Sequence, residues 1–259
     1  MMLIENTIFG VKDKVKIAIE RLKTFEPPEG YYLAFSGGKD SQVVYELAKM
    51  AGVKFDTHMH LTSVDPPEVI EFVKKYYPEV ELHRPEKTMF QLIIEHNMPP
   101  LRTVRFCCEK LKEPGGKGRF VITGIRAQES KRRAKRRMVE VCMRDNTKRY
   151  IHPIFDWSEE DVWEFIKSRG LPYCSLYDQG WRRIGCLLCP MATKKEKEMH
   201  MKRYPQFTRA YLRAFEIMLQ KRKESGMDKK NDWTTPEKVM QWWIYGQEKI
   251  PEGQFSIFD

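Results

Sequence analysis

Tyr31-Tyr32-Leu33-Ala34-Phe35 runs directly into Ser36-Gly37-Gly38-Lys39-Asp40-Ser41, and Val43, Val44, Leu47, Ala48 and Met50 follow at helical spacing up to Ala51-Gly52. The first run is short and wholly apolar, as a strand buried on both faces must be. The second carries two glycines, which let backbone amides approach an anion closely. The third is an amphipathic helix whose free N-terminal N–H groups and partial positive charge point back at that turn. A buried strand, a Gly-Gly turn with hydroxyl and ammonium groups, and a helix together predict a phosphate-binding loop. Lys39 adds charge, Ser36 and Ser41 add hydroxyls, and Asp40 is placed to orient a metal-bound phosphate or to cap the helix. The loop lacks the Gly-x-x-x-x-Gly-Lys-Ser/Thr spacing of P-loop kinases and GTPases. An ordinary Gly-Gly turn capped by Ser or Asp is the alternative.

Outward from this point the pattern alternates. A helix is expected over Val11–Lys23, closed by Glu26-Pro27-Pro28-Glu29-Gly30. Strands are expected at Val53–His60, Val80–His83 and Arg119–Gly124, and helices at Pro67–Tyr76, Thr88–Asn97 and from Ser158 to about Arg169. Strands separated by helices of about ten residues require crossover connections and hence parallel pairing. The expected fold class is therefore α/β, with a parallel-sheet, Rossmann-like core. Beyond Leu171 the chain turns loop-like and then helical and strongly charged, ending in Trp242-Trp243-Ile244-Tyr245. The expected organisation is an N-terminal helix over 1–28, a nucleotide-binding α/β domain over 29–170, and an appended C-terminal cysteine-pair and helical region over 171–259.

Composition limits the function classes. With 259 residues, 41% hydrophobic and 32% charged, the chain has material for a sizeable core. No stretch approaches the ~18 apolar residues of a membrane span, and Met1-Met2-Leu3-Ile4-Glu5 shows no basic leader before an apolar segment. The expectation is a cytoplasmic protein without a membrane partner, whose six cysteines serve metal binding or catalysis rather than disulfides. The net charge of +10 favours an anionic partner.

Four of the six cysteines form two pairs. Cys107-Cys108 lies in Arg105-Phe106-Cys107-Cys108-Glu109-Lys110-Leu111-Lys112, and Cys186-x-x-Cys189 lies in Gly185-Cys186-Leu187-Leu188-Cys189-Pro190. A Cys-x-x-Cys turn brings two thiolates to one side, as zinc sites, iron–sulfur sites and redox dithiols all require. Vicinal cysteines on a helix diverge by about 100°, which is awkward for one tetrahedral zinc and suits a larger cluster. Structural zinc and unligated thiols are the alternatives. Cys142 and Cys174 match no ligand spacing and read as small buried hydrophobes, with transient carriage of sulfur as the alternative for either. His58, His60, His83, His96 and His200 show none that can be recognised.

The Ser-Gly-Gly-x-Asp-Ser loop resembles that of the adenine-nucleotide α-hydrolase superfamily, which includes ATP pyrophosphatases, tRNA-thiolating enzymes and sulfonucleotide reductases. Cys-Cys followed far downstream by Cys-x-x-Cys resembles the 4Fe–4S arrangement of assimilatory adenylylsulfate reductases, in the phosphoadenosine phosphosulfate reductase family. It also resembles that of the sulfurtransferase of DNA phosphorothioation. Gly124-Ile125-Arg126-Ala127-Gln128-Glu129-Ser130 through Arg133 resembles the reductase segment that approaches the nucleotide's phosphate or sulfate end. Further stretches are also similar: His152-Pro153 to Trp163, Gly170-Leu171-Pro172-Tyr173, Leu176-Tyr177-Asp178-Gln179-Gly180 and Arg183-Ile184-Gly185. These read as scaffold.

The resemblance, over about Tyr32 to Pro190, implies activation at the α-phosphate of an adenine nucleotide. It implies Cys107, Cys108, Cys186 and Cys189 as ligands of a 4Fe–4S cluster. ATP with Mg²⁺ would sit against Ser36, Gly37, Gly38, Lys39, Asp40, Ser41, Gly124, Arg126, Glu129, Ser130 and Arg133. Lys39, Asp40, Arg126 and Lys112 would act in the chemistry, Lys112 standing where the reductases place a lysine near cluster and substrate. Two departures favour an ATP-using sulfurtransferase over a sulfate reducer: the loop is intact where reductases commonly degrade it, and no Glu-Cys-Gly-Leu-His follows Cys189.

The expected activity is adenylylation of an acceptor with pyrophosphate release, then sulfur transfer from a donor such as a cysteine desulfurase. The alternatives are a reductase using an external thiol, or a non-catalytic nucleotide-sensing iron–sulfur module that binds nucleic acid. The basic runs Lys131–Arg137 and Lys194–Arg203, with Trp181, Trp233, Trp242 and Trp243, form either a nucleic-acid surface or a solvated face over buried tryptophans.

Overall fold

The computed structural model describes residues 3–8, 10–227 and 233–246; the last part of the expected C-terminal region, 247–259, lies outside them, as do Met1 and Met2 of the expected leaderless start. In chain order the elements are β1 (Ile4–Thr7), β2 (Gly10–Asp13), α1 (Lys14–Thr24), β3 (Tyr31–Ala34), α2 (Lys39–Ala51), β4 (Phe55–His60), α3 (Pro67–Tyr76) and β5 (Glu81–His83). There follow α4 (Met89–His96), α5 (Phe106–Leu111), β6 (Phe120–Ile122), α6 (Lys131–Ala134), β7 (Val139–Val141), β8 (Arg149–Ile151), α7 (Glu159–Ser168), α8 (Lys194–Arg203), α9 (Pro205–Glu224) and α10 (Pro236–Tyr245).

Two compact units share these elements, and neither is continuous in sequence. The first comprises residues 1–61, 65–84 and 112–185; the second comprises 62–64, 85–111 and 186–259. The first unit is built on a six-stranded sheet of order β5-β4-β3-β6-β8-β7. All pairings are parallel except β7 with β8, so the α/β architecture read from the alternating pattern is the observed one. From β3 the chain moves one way to β4 and β5, then returns to the other side of β3 for β6 and β8. This reversal leaves a crevice at the carboxyl ends of β3 and β6, where open α/β sheets bind ligands. The Ser36–Ser41 loop leaves β3 at that place.

Local chemistry sets most boundaries. Thr88 caps α4 through Gln91 N, and Asn97 ends it in the left-handed conformation at φ 54°. Ser158 caps α7 in a reciprocal capping box with Asp161. The first helix starts later than its apolar spacing implies. Val11 belongs to the β1–β2 antiparallel hairpin, and Asp13 caps α1 by accepting from Val15 N and Lys16 N. Lys14, almost wholly buried, then reaches Asp161 Oδ2 at 2.7 Å and Glu5 Oε1 at 2.6 Å, tying the hairpin to α7.

The second unit is helical. Leu92, Ile93, Phe106, Leu111, Tyr211, Phe215, Met218, Val239, Met240, Trp243 and Ile244 form one apolar cluster that also contains Cys107 and Cys186. Lys197 is buried in the same unit, donating to Trp243 O at 3.2 Å. Trp233 and Trp243 are buried here, and Trp181 is buried in the first unit. Trp242 is half-buried against Trp233, so three of the four tryptophans in the basic, tryptophan-bearing segments are core side chains. Among the described residues no helix is long and apolar enough to cross a membrane.

A Cβ on Gly124 would stand 2.7 Å from the backbone carbonyl of Asp40. Gly124→Ala is therefore expected to cost about 1–3 kcal/mol in urea unfolding, and to weaken nucleotide binding through the displaced start of α2. His152 is fully buried, bonded to Thr123 Oγ1 at 2.7 Å. Burial first, then the nearby Arg136 charge, pushes its pKa down from 6.5 to about 4. The unfolded chain binds this proton more tightly, so the contribution is complete above pH 6.5 and fades as pH falls toward 4, by about 3 kcal/mol. Stability measured from pH 7 to 4 should fall less steeply in His152→Gln.

Candidate functional site

The loop after β3 is organised around the start of α2. Gly37 sits at φ +69°, and a Cβ there would stand 2.8 Å from Val69 Cγ1 and 2.9 Å from Val73 Cγ2, so glycine alone fits against α3. Gly38 is the N-cap of α2, and being glycine it supplies no side chain to the first amides. No N-cap side chain takes up these amides, the arrangement that makes a helix start receptive to an anion. The hydroxyls are tied together within the loop. Ser41 Oγ donates to Gly38 O at 2.8 Å, accepts from Ser36 N at 3.2 Å, and lies 3.2 Å from Ser36 Oγ.

Lys39 is buried at 4% exposure. Its ammonium lies 3.3 Å from Glu159 Oε1, 3.6 Å from Asp40 Oδ2 and 3.3 Å from Arg182 O. Its backbone N–H donates to Tyr177 Oη at 2.9 Å, and the ammonium stands 5.6 Å over the Tyr177 ring. Burial pushes the Tyr177 phenol well above its ordinary value, which keeps the hydroxyl protonated. Sequence reading assigned Tyr177 to the scaffold; the fold returns it to the loop from 138 residues downstream. Tyr177 also lines a cleft of about 670 Å³ with Trp163, Tyr173, Glu159, Glu164 and Asp178.

Arg126 does not project toward solvent. It is buried at 3% exposure, and its Nε donates to Asp40 Oδ1 at 2.6 Å. Its Nη1 donates to Gln128 Oε1 at 3.3 Å and Trp157 O at 3.4 Å, and its backbone N–H to Glu129 Oε2 at 2.9 Å. The short turn 127–129 thus wraps its own arginine, and Glu129 also pairs with Arg133. Ser130 caps α6 by accepting from Arg133 N at 3.2 Å. Gly124, Arg126, Glu129, Ser130 and Arg133 therefore form one connected segment that reaches the start of α2 through Arg126 and the Gly124 backbone. Lys112 is exposed just past the end of α5.

The four paired cysteines belong to the second unit. Cys107 and Cys108 open α5; Cys107 is buried and Cys108 half-buried. Cys186 and Cys189 flank a turn held on every side. Leu187 N donates to Val64 O at 2.8 Å, Leu188 N to His200 Nδ1 at 3.1 Å, and Tyr211 Oη to Leu187 O at 3.3 Å. Leu188 adopts φ +55°, a strained conformation for a bulky residue that persists only when the surroundings impose it. Cys108, then burial, then Cys186 and Cys189 push the Cys107 thiol far above its usual range. Cys107 and Cys186 lie in one apolar cluster, with Cys108 and Cys189 packed against it. Cys174 is buried in the first unit, and Cys142 is a half-buried thiol accepting from Tyr150 Oη at 3.7 Å.

Histidines that carry no recognisable spacing in sequence come together in the first unit. Residues His58, Glu81 and His83 have ligand atoms all within 4.8 Å of one another. The signal was present as His58-x-His60 and Glu81-x-His83 in two short strands, but only the parallel register pairs them.

Comparison with known proteins agrees with this architecture. The phosphoadenosine phosphosulfate reductase domain matches residues 30–192. An uncharacterized protein of Methanocaldococcus jannaschii is 32% identical over 182 residues, covering 67% of this chain but 44% of that longer protein. An adenosine 5'-phosphosulfate reductase of Staphylococcus haemolyticus is 27% identical, over 66% of this chain and 75% of its own. Among solved structures, the phosphoadenylyl-sulfate reductase of Candida auris superposes with a TM-score of 0.51 at 19% identity, covering 65% of this chain and 87% of its own. FMN adenylyltransferase of Candida glabrata superposes at 0.50 and 14% identity, covering 67% and 64%. The fold is that of the adenine-nucleotide α-hydrolases, and with the family match extending over more than half of its length, this chain belongs to the phosphoadenosine phosphosulfate reductase domain family.

Proposed function

We propose that this protein is an ATP-dependent sulfurtransferase that adenylylates an acceptor with release of pyrophosphate and uses a 4Fe–4S cluster. The observation that carries the reading is the uncapped start of α2, with Lys39 and Asp40 fixed at its first turn. Such a site suits a polyphosphate rather than a lone sulfate, because backbone amides, an ammonium and a carboxylate for Mg²⁺ act together. Magnesium, when bound, would neutralise the triphosphate and draw charge from the leaving group.

In this mechanism an oxygen of the acceptor attacks the α-phosphorus and the bond to the bridging oxygen breaks. Pyrophosphate departs with the electron pair, its growing charge met by Lys39 and the α2 amides. The terminal sulfur of a donor persulfide, such as one supplied by a cysteine desulfurase, then displaces AMP to form an acceptor–S–S–donor disulfide, which an external thiol reductant cleaves to release the thiolated acceptor. Arg126 works through Asp40: its buried guanidinium holds the carboxylate in place, so it is a positioning residue rather than a direct phosphate ligand.

The donor set supports a cluster over mononuclear zinc. Cys107 and Cys108 are adjacent on α5, where neighbouring side chains diverge by about 100°, and with Cys186 and Cys189 they share one apolar cluster; diverging donors suit a centre of several metal ions better than one zinc tetrahedron. A second reading has one specific support: relatives of this chain are named adenosine 5'-phosphosulfate reductases. It would make adenylylsulfate the substrate and sulfite the product.

Protein purified anaerobically should contain iron and acid-labile sulfide, and should release pyrophosphate from ATP when acceptor and sulfur donor are present. Sulfite from adenylylsulfate with a thiol, and no pyrophosphate from ATP, would establish the reductase instead; neither product would leave a nucleotide-sensing module. Lys39→Ala should lower turnover about 10²-fold or more without changing iron content. Cys107→Ser should lose the brown colour and the iron, and retention of both would remove Cys107 from the ligand set.

A further inference from the structure

The first unit carries a group of side chains that the nucleotide chemistry leaves unused. Strands β4 and β5 run parallel with His58 opposite Glu81 and His60 opposite His83. Side chains alternate between faces along a strand, so Asp56, His58 and His60 share one face of β4, and Glu81 and His83 share one face of β5. This face of the sheet is polar, where a buried parallel sheet is ordinarily apolar.

The three closest groups make a metal-sized triangle. His58 Nδ1 lies 2.8 Å from His83 Nε2 and 3.3 Å from Glu81 Oε2, and His83 Nε2 lies 3.7 Å from Glu81 Oε1. The edge of a tetrahedron with metal–nitrogen bonds of 2.0–2.1 Å is about 3.3 Å, the middle of that range. Two imidazoles and one carboxylate, with a vertex left for water, is a donor set used by divalent zinc.

Behind these ligands stands an orienting layer. The second nitrogen of His58, Nε2, is bonded to Asp56, and Asp56 Oδ1 accepts from Arg119 Nη2 at 2.6 Å. A carboxylate on the far nitrogen fixes the ring's tautomer and directs its lone pair forward, as in carboxylate–histidine–metal sites. The His58 ring is further clamped flat on Tyr32, with centroids 4.1 Å apart and planes 6° apart. Access is provided by Glu81 and His83, whose side chains are 64% and 31% exposed while that of His58 is 12% exposed.

We propose that His58, Glu81 and His83 bind a divalent transition-metal ion of the zinc class, with Asp56 and Arg119 orienting His58. The site is separate from the four paired cysteines in sequence and in chemistry, so cobalt(II) distinguishes the two. Chelator-treated full-length protein titrated with cobalt(II) should show an equivalent whose visible ligand-field bands appear without thiolate-to-cobalt charge transfer. His83→Ala should lower bound cobalt by one equivalent while the thiolate bands persist, and Glu81→Gln should weaken that equivalent. Asp56→Asn should weaken it about 10–100-fold. His83 is at the surface end of the triangle, and far-UV circular dichroism should show the variant folded. A variant with all four paired cysteines changed to serine should keep the histidine-bound equivalent if it folds. If it does not fold, the wild-type and His83→Ala stoichiometries still decide. Unchanged cobalt content in folded His83→Ala, or no cobalt bound outside the thiolates, overturns the proposal.

Discussion

The start of α2 has to be held still although its N-cap residue offers no side chain, and the first unit is arranged around that requirement. The Gly38 N-cap supplies no side-chain acceptor to the first backbone N–H groups, and the adjoining Lys39 is a buried charge beside the half-buried Asp40. Arg126 offsets this by bringing a guanidinium onto Asp40 at 2.6 Å. Tyr177 takes the Lys39 amide, and Gly124 lets the turn after β6 close onto the Asp40 carbonyl. Arg126 is buried and Asp40 half-buried, so the pair itself gains little net stability, but removing Asp40 would strand the guanidinium. Its effect is geometric: β6 and α2 are locked at the place where the strand order reverses.

A comparable logic holds in the second unit. Its apolar cluster surrounds Cys107 and Cys186, and the turn between Cys186 and Cys189 is fixed by Val64, His200 and Tyr211. The strained Leu188 backbone is held by those contacts.

The sequence reading and the structure diverge where partners are remote. Val11 has the spacing of a helix, yet it pairs in a hairpin because Asp13 is the better cap. Arg126 at the end of a strand reads as a ligand for an external anion; in the fold its anion is Asp40. Tyr177 and Lys197 look like scaffold and solvated charge, but one reaches the phosphate loop and the other lies beneath Trp243. The histidine group escaped notice because ligand spacing in sequence is legible only within one turn or hairpin. Across two parallel strands it depends on a register that twenty-odd intervening residues do not encode locally.

By itself the sequence determined the strand–loop–helix at Tyr31–Ala51, the alternation that demands parallel pairing, the extents of α4 and α7, and the two cysteine pairs. All of these rest on short-range rules: periodicity, glycine freedom, capping chemistry and thiol spacing. Tertiary structure alone decided that segments 62–64 and 85–111 join the unit of the C-terminal helices, and that Arg126 serves Asp40. It also decided that His58, Glu81 and His83 meet. Each of these depends on which distant surfaces exclude water together, and burial of that kind has no period along the chain.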